Sequence, residues 1–375
     1  MNTNAMHVGL RFGVMVTACG LVACAQTMPL APHVMDRASV NAPGPTLELS
    51  KAEAMALSTV KPPHKPQIVD AYSIDASLNK LAQAVQPEAL TKVLLGLQEG
   101  GMAERKNRLK AKVGADMVHV RGGTFMMGDF AKLVGVEGAA RMTYNEDDKH
   151  VHEVTLSDFW ISKYKATHAE FDVFSDDAGQ PRSGMEFDGK NRSPLTPVGA
   201  HWQQAKDYCQ WLGRLMGIPM DLPTEAQWEY AARSRGQFFM VGTDDGNLER
   251  GRNVPDGQQD HLFQNHYRAM GIRYPVGMYP PNPLGLFDIS HNGEEWVSDW
   301  YAVDAYARHE LLDPQGPSSG VKKVTRSWGA DDFVIGVNVW RRAEDPSPVR
   351  GFRADGTAIP LPTLFSPTVR CVASP

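Results

Sequence analysis

The pattern of apolar and polar positions changes character several times along the chain. Near the N-terminus Arg11 precedes an apolar run, Phe12-Gly-Val-Met-Val-Thr-Ala-Cys-Gly-Leu-Val-Ala23. It is too short and too rich in small residues for a bilayer span. Residues 25 to about 72 show no period and are punctuated by Pro29, Pro32, Pro43, Pro45, Pro62, Pro63 and Pro66, which predicts a semi-extended tether. Ile74, Leu78, Leu81 and Val85 then recur at helical spacing, as do Leu90, Val93, Leu94 and Leu97 after Pro87. Gly100-Gly101 interrupts the pattern, and a basic amphipathic stretch, Arg105 to Lys112, leads to Gly114. The segment 73–114 reads as a helical hairpin packed on the following domain with its charges in water, or as a docking arm for a partner.

From about residue 116 the texture is different. Met117-Val-His-Val-Arg-Gly-Gly-Thr-Phe-Met-Met-Gly128 reads as a strand, a Gly-Gly turn and a second strand. Val151 to Leu156 alternates like a strand, and Phe159 to Tyr164 continues it. Ala200 to Met216 is helical through Trp202, Ala205, Tyr208, Cys209 and Leu212. A second helix starts at Pro223-Thr224-Glu225, with Thr224 as its cap and Glu225 at its positive end, and stops near Arg233. Long Gly- and Pro-rich stretches follow, and loops of that length are explained by metal ions or a binding surface. With 34 Gly, 26 Pro and 8 Trp in 375 residues, the pattern predicts a loop-rich domain over 115–375 rather than a bundle.

Charge and cysteine content narrow the function. The net charge of -5 leaves no electrostatic footprint for nucleic acid. The cysteines are Cys19, Cys24, Cys209 and Cys371. Leu21-Val22-Ala23-Cys24 resembles the lipobox of bacterial lipoproteins, which implies a signal peptide over 1–23, acylation of Cys24 and a tether over 24–72. An ordinary secretory cleavage nearby and the weaker Val16-Thr17-Ala18-Cys19 are the alternatives. Ala25, rather than Asp, follows Cys24, which points to the outer membrane, facing the periplasm, with the acyl chains as anchor. His150 and His152 share one strand face, a spacing that serves metals in some sites and an ordinary strand in most.

Several phrases together resemble the formylglycine-generating enzyme, or sulfatase-modifying factor, family. They are Val120-Arg-Gly-Gly-Thr-Phe-Met-Met-Gly128, His152-Glu-Val-Thr-Leu156 with Phe159-Trp-Ile161, Lys163-Tyr-Lys-Ala-Thr167, Pro197-Val-Gly-Ala-His-Trp202 with Tyr208-Cys-Gln-Trp-Leu212, Leu222-Pro-Thr-Glu-Ala-Gln-Trp-Glu-Tyr-Ala-Ala-Arg233, and Pro280 to Tyr301. Their order and spacing cover roughly 115–375. The resemblance implies an irregular α+β fold, akin to C-type-lectin folds, with little regular structure and two helices near its start. The short helical segment at 73–114 lies outside it.

The family's oxidases convert a sulfatase cysteine or serine to formylglycine with copper held by two thiolates. The corresponding stretch here, Val324 to Arg342, contains no cysteine. Asp331 and Asp332 stand about where the first thiolate belongs, and Trp328 and Trp340 would line a retained groove. Copper(I) prefers sulfur ligands, so the resemblance implies a degenerate site without copper. A related iron branch takes histidines from an H-x3-H-x-E motif, and 25–114 holds none. The resemblance also implies a Cys209–Cys371 disulfide, with Val369-Arg-Cys-Val372 as the terminal phrase, although Gly351-Phe-Arg353 looks like that phrase too. An exported chain favours disulfides.

Calcium is a further implication of the resemblance. Matching oxygen donors are the Asp288 side chain, the His291 and Gly293 carbonyls and the Glu295 side chain, the ligand type Ca²⁺ requires. Gly293-Glu294 departs from the family's apolar-Trp pair, and the same stretch also reads as a metal-free turn. A second family site begins at Asn253-Val254. Its distal aspartate falls near Tyr267-Arg268, so that site is lost unless Asp256 or Asp260 substitutes. The expected function is a lipid-anchored, non-catalytic interaction protein whose partner is a secretion-system component or a secreted effector. The alternative is a formylglycine-generating or other oxidase with atypical ligands.

Overall fold

The computed structural model describes residues 88–134, 142–143, 145–185, 192–255, 273–308, 310–327 and 341–374. Cys24, the tether, residues 73–87, and Asp256, Asp260, Tyr267, Arg268, Trp328, Asp331, Asp332 and Trp340 lie outside the described residues. Two helices open the described chain, α1 (Glu88–Gly96) and α2 (Met102–Asp116). They carry Leu90, Leu94, Leu109 and Val113, with Leu97 from the turn between them, into the same apolar core as Phe171, Phe174, Tyr208 and Leu212. The hairpin therefore packs on the domain, but its charges do not all face water. Arg105 pairs with Asp176 at 2.6 Å, Lys106 with Asp177 at 2.9 Å, and buried Lys112 bridges Asp116 and Glu170 at 2.8 Å each.

Those acidic partners sit mainly on α3 (His168–Asp177), a helix absent from the sequence-based expectation. Thr167 caps it: the Thr167 hydroxyl accepts from the Glu170 amide, and the Glu170 carboxylate accepts from the Thr167 amide. The two expected helices follow as α4 (Trp202–Met216) and α5 (Glu225–Ala232). Gly217, at φ 78°, ends α4 in the left-handed region that glycine enters without cost. Thr224 caps α5 by accepting from the Gln227 amide at 3.1 Å.

The strands form small separate sheets. β1 (Met117–Val120), β4 (Phe159–Ser162), β5 (Met220–Asp221) and β11 (Val372–Ala373) make one sheet in the order β1-β4-β11-β5, while β2 (Gly123–Met127) pairs with β3 (His152–Leu156). The Gly-Gly turn thus hands the chain from one sheet to another and closes no hairpin. A side chain at Gly122 would meet the Leu156 carbonyl oxygen at 2.2 Å, so only glycine permits this crossing. β6 (Glu295–Trp300), β7 (Lys323–Arg326) and β8 (Arg341–Glu344) form a third sheet, and β9 (Val349–Phe352) with β10 (Ala358–Pro360) a two-stranded ribbon.

Cys209 of α4 is bonded to Cys371, just before β11, with a Cα–Cα distance of 5.5 Å. Arg370 and Cys371 are buried, whereas Phe352 of the β9–β10 ribbon is 70% exposed. Val369-Arg370-Cys371 is therefore the phrase that closes the core, and Gly351-Phe352-Arg353 is not. Short strands, capped helices and long connections make this an irregular α+β fold. Among the described residues no helix is long and apolar enough to cross a membrane.

Candidate functional site

Two buried charge centres organise the loop-rich part of the domain. The first lies at the turn leading into β6. Asp288, Asn292 and Gly293 take positive φ of 58°, 63° and 101°. The Asn292 amide group holds this turn by exchanging hydrogen bonds with the Tyr274 backbone N–H and carbonyl, both at 3.0 Å. Glu295 then enters the core with no exposed surface. Its carboxylate accepts two 2.9 Å bonds from the Arg370 guanidinium and one from the Trp228 indole, also 2.9 Å.

A second cation completes this centre. The Lys165 ammonium, fully buried, donates to the Gly293 carbonyl at 2.6 Å and lies 3.0 Å from Glu295 Oε1. Burial pushes Lys165 down to about 8 despite the opposing Glu295 charge. Burial works against ionising Glu295, yet Arg370 and Lys165 outweigh it and hold the carboxyl at about 2. Asp288 Oδ2 accepts from the Gly277 amide at 2.8 Å, and burial raises this carboxyl to about 6. His291 is bonded through Nδ1 to the Tyr274 hydroxyl at 2.6 Å. Burial, with the Lys165 and Arg370 charges, drives it down to about 3, so the imidazole is neutral.

The donor set expected for calcium is thus gathered in one loop, but with an ammonium inside it. Calcium takes 6–8 oxygen ligands. Here the Gly293 carbonyl and Glu295 Oε1 already accept from Lys165 and Asp288 Oδ2 from an amide, which leaves only Asp288 Oδ1 of the two carboxylates' oxygens without a partner. With Lys165 in place the residues do not fit the ion. Sequence reasoning missed Lys165 and Arg370 because lysine and arginine are almost never fully buried unless paired.

The second centre lies on α5. Glu225, Glu229 and Arg233 recur every fourth residue and so share one helix face, and all three are buried. Arg326 Nη1 donates to Glu225 and Nη2 to Glu229, both at 2.8 Å. Arg341 binds both oxygens of Glu225, at 2.8 and 3.1 Å. Arg233 closes on Glu229 at 2.7 Å. Burial opposes the charge of Glu225, but Arg341 and Arg326 prevail and lower its pKa. A carboxylate so locked is a structural anion rather than a proton acceptor. The four-residue spacing was visible in the sequence; the partners on β7 and β8 were not.

Beside this centre lies a cavity of about 460 Å³, lined among others by His152, Glu225, Asp299, Tyr306, Arg308 and Gln315. The Tyr306 hydroxyl donates to Glu225 at 3.0 Å. Asp299 accepts from the Glu225 amide at 2.8 Å; burial, with the Glu225 charge, raises its carboxyl to about 7. His152 opens β3, is bonded through Nδ1 to the His150 carbonyl and packs its ring edge on Tyr306, whereas His150 lies before the strand, so the two do not share a strand face as the sequence suggested. A larger groove of about 740 Å³ is built from α4, β5 and the start of α5, and Gln315 lines it too. No thiol lines either space. The only cysteines after Cys24 are Cys209 and Cys371, and these are bonded to each other within the core.

Comparison with known proteins places these features. The profile of the sulfatase-modifying factor enzyme 1-like domain matches residues 103–353, and so takes in most of α2. The chain is 29% identical over 244 residues to a serine/threonine-protein kinase pkn1 of Chlamydia pneumoniae, covering 60% of this chain and 34% of that protein. It is 28% identical over 256 residues to a formylglycine-generating enzyme of Streptomyces coelicolor, covering 56% of this chain and 76% of that one. It spans about a third of the length of the former. Among solved structures, PvdO from Pseudomonas aeruginosa is similar with a TM-score of 0.50 at 21% identity, covering 69% of this chain and 94% of that one. The likeness to PvdO speaks to fold alone.

Proposed function

The chain belongs to the sulfatase-modifying factor enzyme 1-like domain family, and on that premise we propose that it is a lipid-anchored, periplasm-facing, non-catalytic interaction protein. The observation that carries this reading is the state of its sulfur. Copper-dependent oxidation in the resembling enzymes needs two thiolates at the site. Here Val324 to Arg342 holds none, and Cys209 and Cys371 are consumed by their own bond. Carboxylates such as Asp331 and Asp332 are poor ligands for copper(I). Framework and site are separable, and the arginine–carboxylate centre keeps the framework rigid beneath the cavity.

The partner would be a protein of the envelope, either a secretion-system component or a secreted effector, and it would use the cavity and the surface around β7 and β8. Anchoring would come from acylation at Cys24. Two experiments test the reading. Palmitate labelling of the expressed chain should disappear in Cys24→Ala; labelling that persists argues against the anchor. A photo-crosslinking residue at Gln315 should trap a defined protein adduct in intact cells, lost when bulk is added to the cavity wall at Ala305. Adducts that ignore the cavity substitution argue against the binding surface.

A further inference from the structure

We infer that the Lys165 ammonium stands in this chain for the calcium ion that the Asp288–Glu295 loop would otherwise hold. The turn has the features of a cation site: it bends through positive φ at Asp288, Asn292 and Gly293, and the Gly293 carbonyl and the Asp288 and Glu295 carboxylates turn inward. The cation found there is a side chain. Lys165 donates to the Gly293 carbonyl at 2.6 Å and to Glu295 at 3.0 Å, and reaches the Thr368 hydroxyl at 3.4 Å.

Charge counting supports the substitution. Two cations, Lys165 and Arg370, face two carboxylates, Asp288 and Glu295, so the buried group is neutral when all are ionised. Adding a divalent ion would leave it at +2 among fully buried residues, where uncompensated charge is costly. The second family loop, whose calcium site the sequence reads as lost, is likewise held by its own ion pairs. Asn253 anchors it by accepting from the Glu249 amide at 2.8 Å and donating to the Asn247 carbonyl at 3.0 Å. Its acidic residues Asp244 and Asp245 are neutralised by Arg252 at 2.6 and 2.9 Å, which also pairs with Glu249.

The experiment compares the wild-type chain with Lys165→Ala, by calcium titration calorimetry and by thermal unfolding in calcium or chelator. Wild type should show no saturable calcium heat and one melting temperature in both buffers. In chelator, Lys165→Ala should melt lower than wild type by roughly 6 °C or more, because two buried carboxylates, Asp288 and Glu295, are left facing the single cation Arg370. A calcium-dependent rise in wild type that Asp288→Asn abolishes would overturn the inference. So would a Lys165→Ala chain as stable as wild type in chelator. If that variant does not fold, Lys165→Met retains the buried bulk, and the wild-type titration decides by itself.

Discussion

Arg326 and Arg341 stand opposite each other across the β7–β8 ladder, and both guanidiniums close on the single carboxylate of Glu225. Two like charges paired across a sheet repel; the shared anion on α5 turns that repulsion into a clamp. The strands are therefore fixed to the helix at the point where the chain departs into residues 328–340.

Glu225→Gln should be strongly destabilising, since it leaves two buried guanidiniums short of one charge. Breaking a buried pair by removing one partner costs about 3–5 kcal/mol. Urea unfolding of the two chains measures this. A loss below about 1 kcal/mol would mean the clamp is not holding the sheet.

The Cys209–Cys371 bond joins α4 to the last strand across a sequence separation of 162. A loop of that size gives a chain-entropy stabilisation of roughly 5 kcal/mol at most. The doubly substituted Cys209→Ser, Cys371→Ser chain should therefore unfold at lower urea, and reductant should lower the wild-type midpoint towards it. Non-reducing peptide mapping that finds both thiols free contradicts the structure directly.

Asp299 gives a pH prediction. Burial, with Glu225 nearby, raises its carboxyl to about 7 in the folded chain. The folded state then holds a proton that the unfolded chain has released above about pH 4. Stability contributed by this group falls as pH rises from about 4 to 7. Asp299→Asn keeps an oxygen to accept from the Glu225 amide but cannot ionise. It should flatten the decline in stability over that range. An unchanged pH slope would show that Asp299 titrates normally.

The sequence made some of this legible and hid the rest for physical reasons. α4 and α5 were readable because one shows an amphipathic period and the other begins at a threonine cap. α3 was not, because His168 through Ser175 are all buried. A helix wrapped on every side shows no stripe, and its buried His168, Glu170 and Asp172 look like loop polarity. Its Thr167–Glu170 capping box was the available signal. Both strands around the Gly-Gly turn were readable, but not their partners, because partner choice in a sheet is not local: β1 pairs with β4 and β2 with β3. The loop holding Asp288, Gly293 and Glu295 was readable from its oxygen donors. Lys165 was not, since nothing near it in sequence announces the carboxylate that keeps it inside.

The chain keeps the family fold, and the proposed function requires that it lack the family's oxidation chemistry. The most direct measurement is mass spectrometry of a sulfatase-type cysteine peptide incubated with the purified chain, oxygen and copper(I), beside an active formylglycine-generating enzyme as control. The account predicts aldehyde with the control and none with this chain, at any copper concentration. Formylglycine that forms in proportion to this protein, and is lost when Asp331 and Asp332 are both replaced by alanine, would contradict the account and make it an oxidase with unusual ligands.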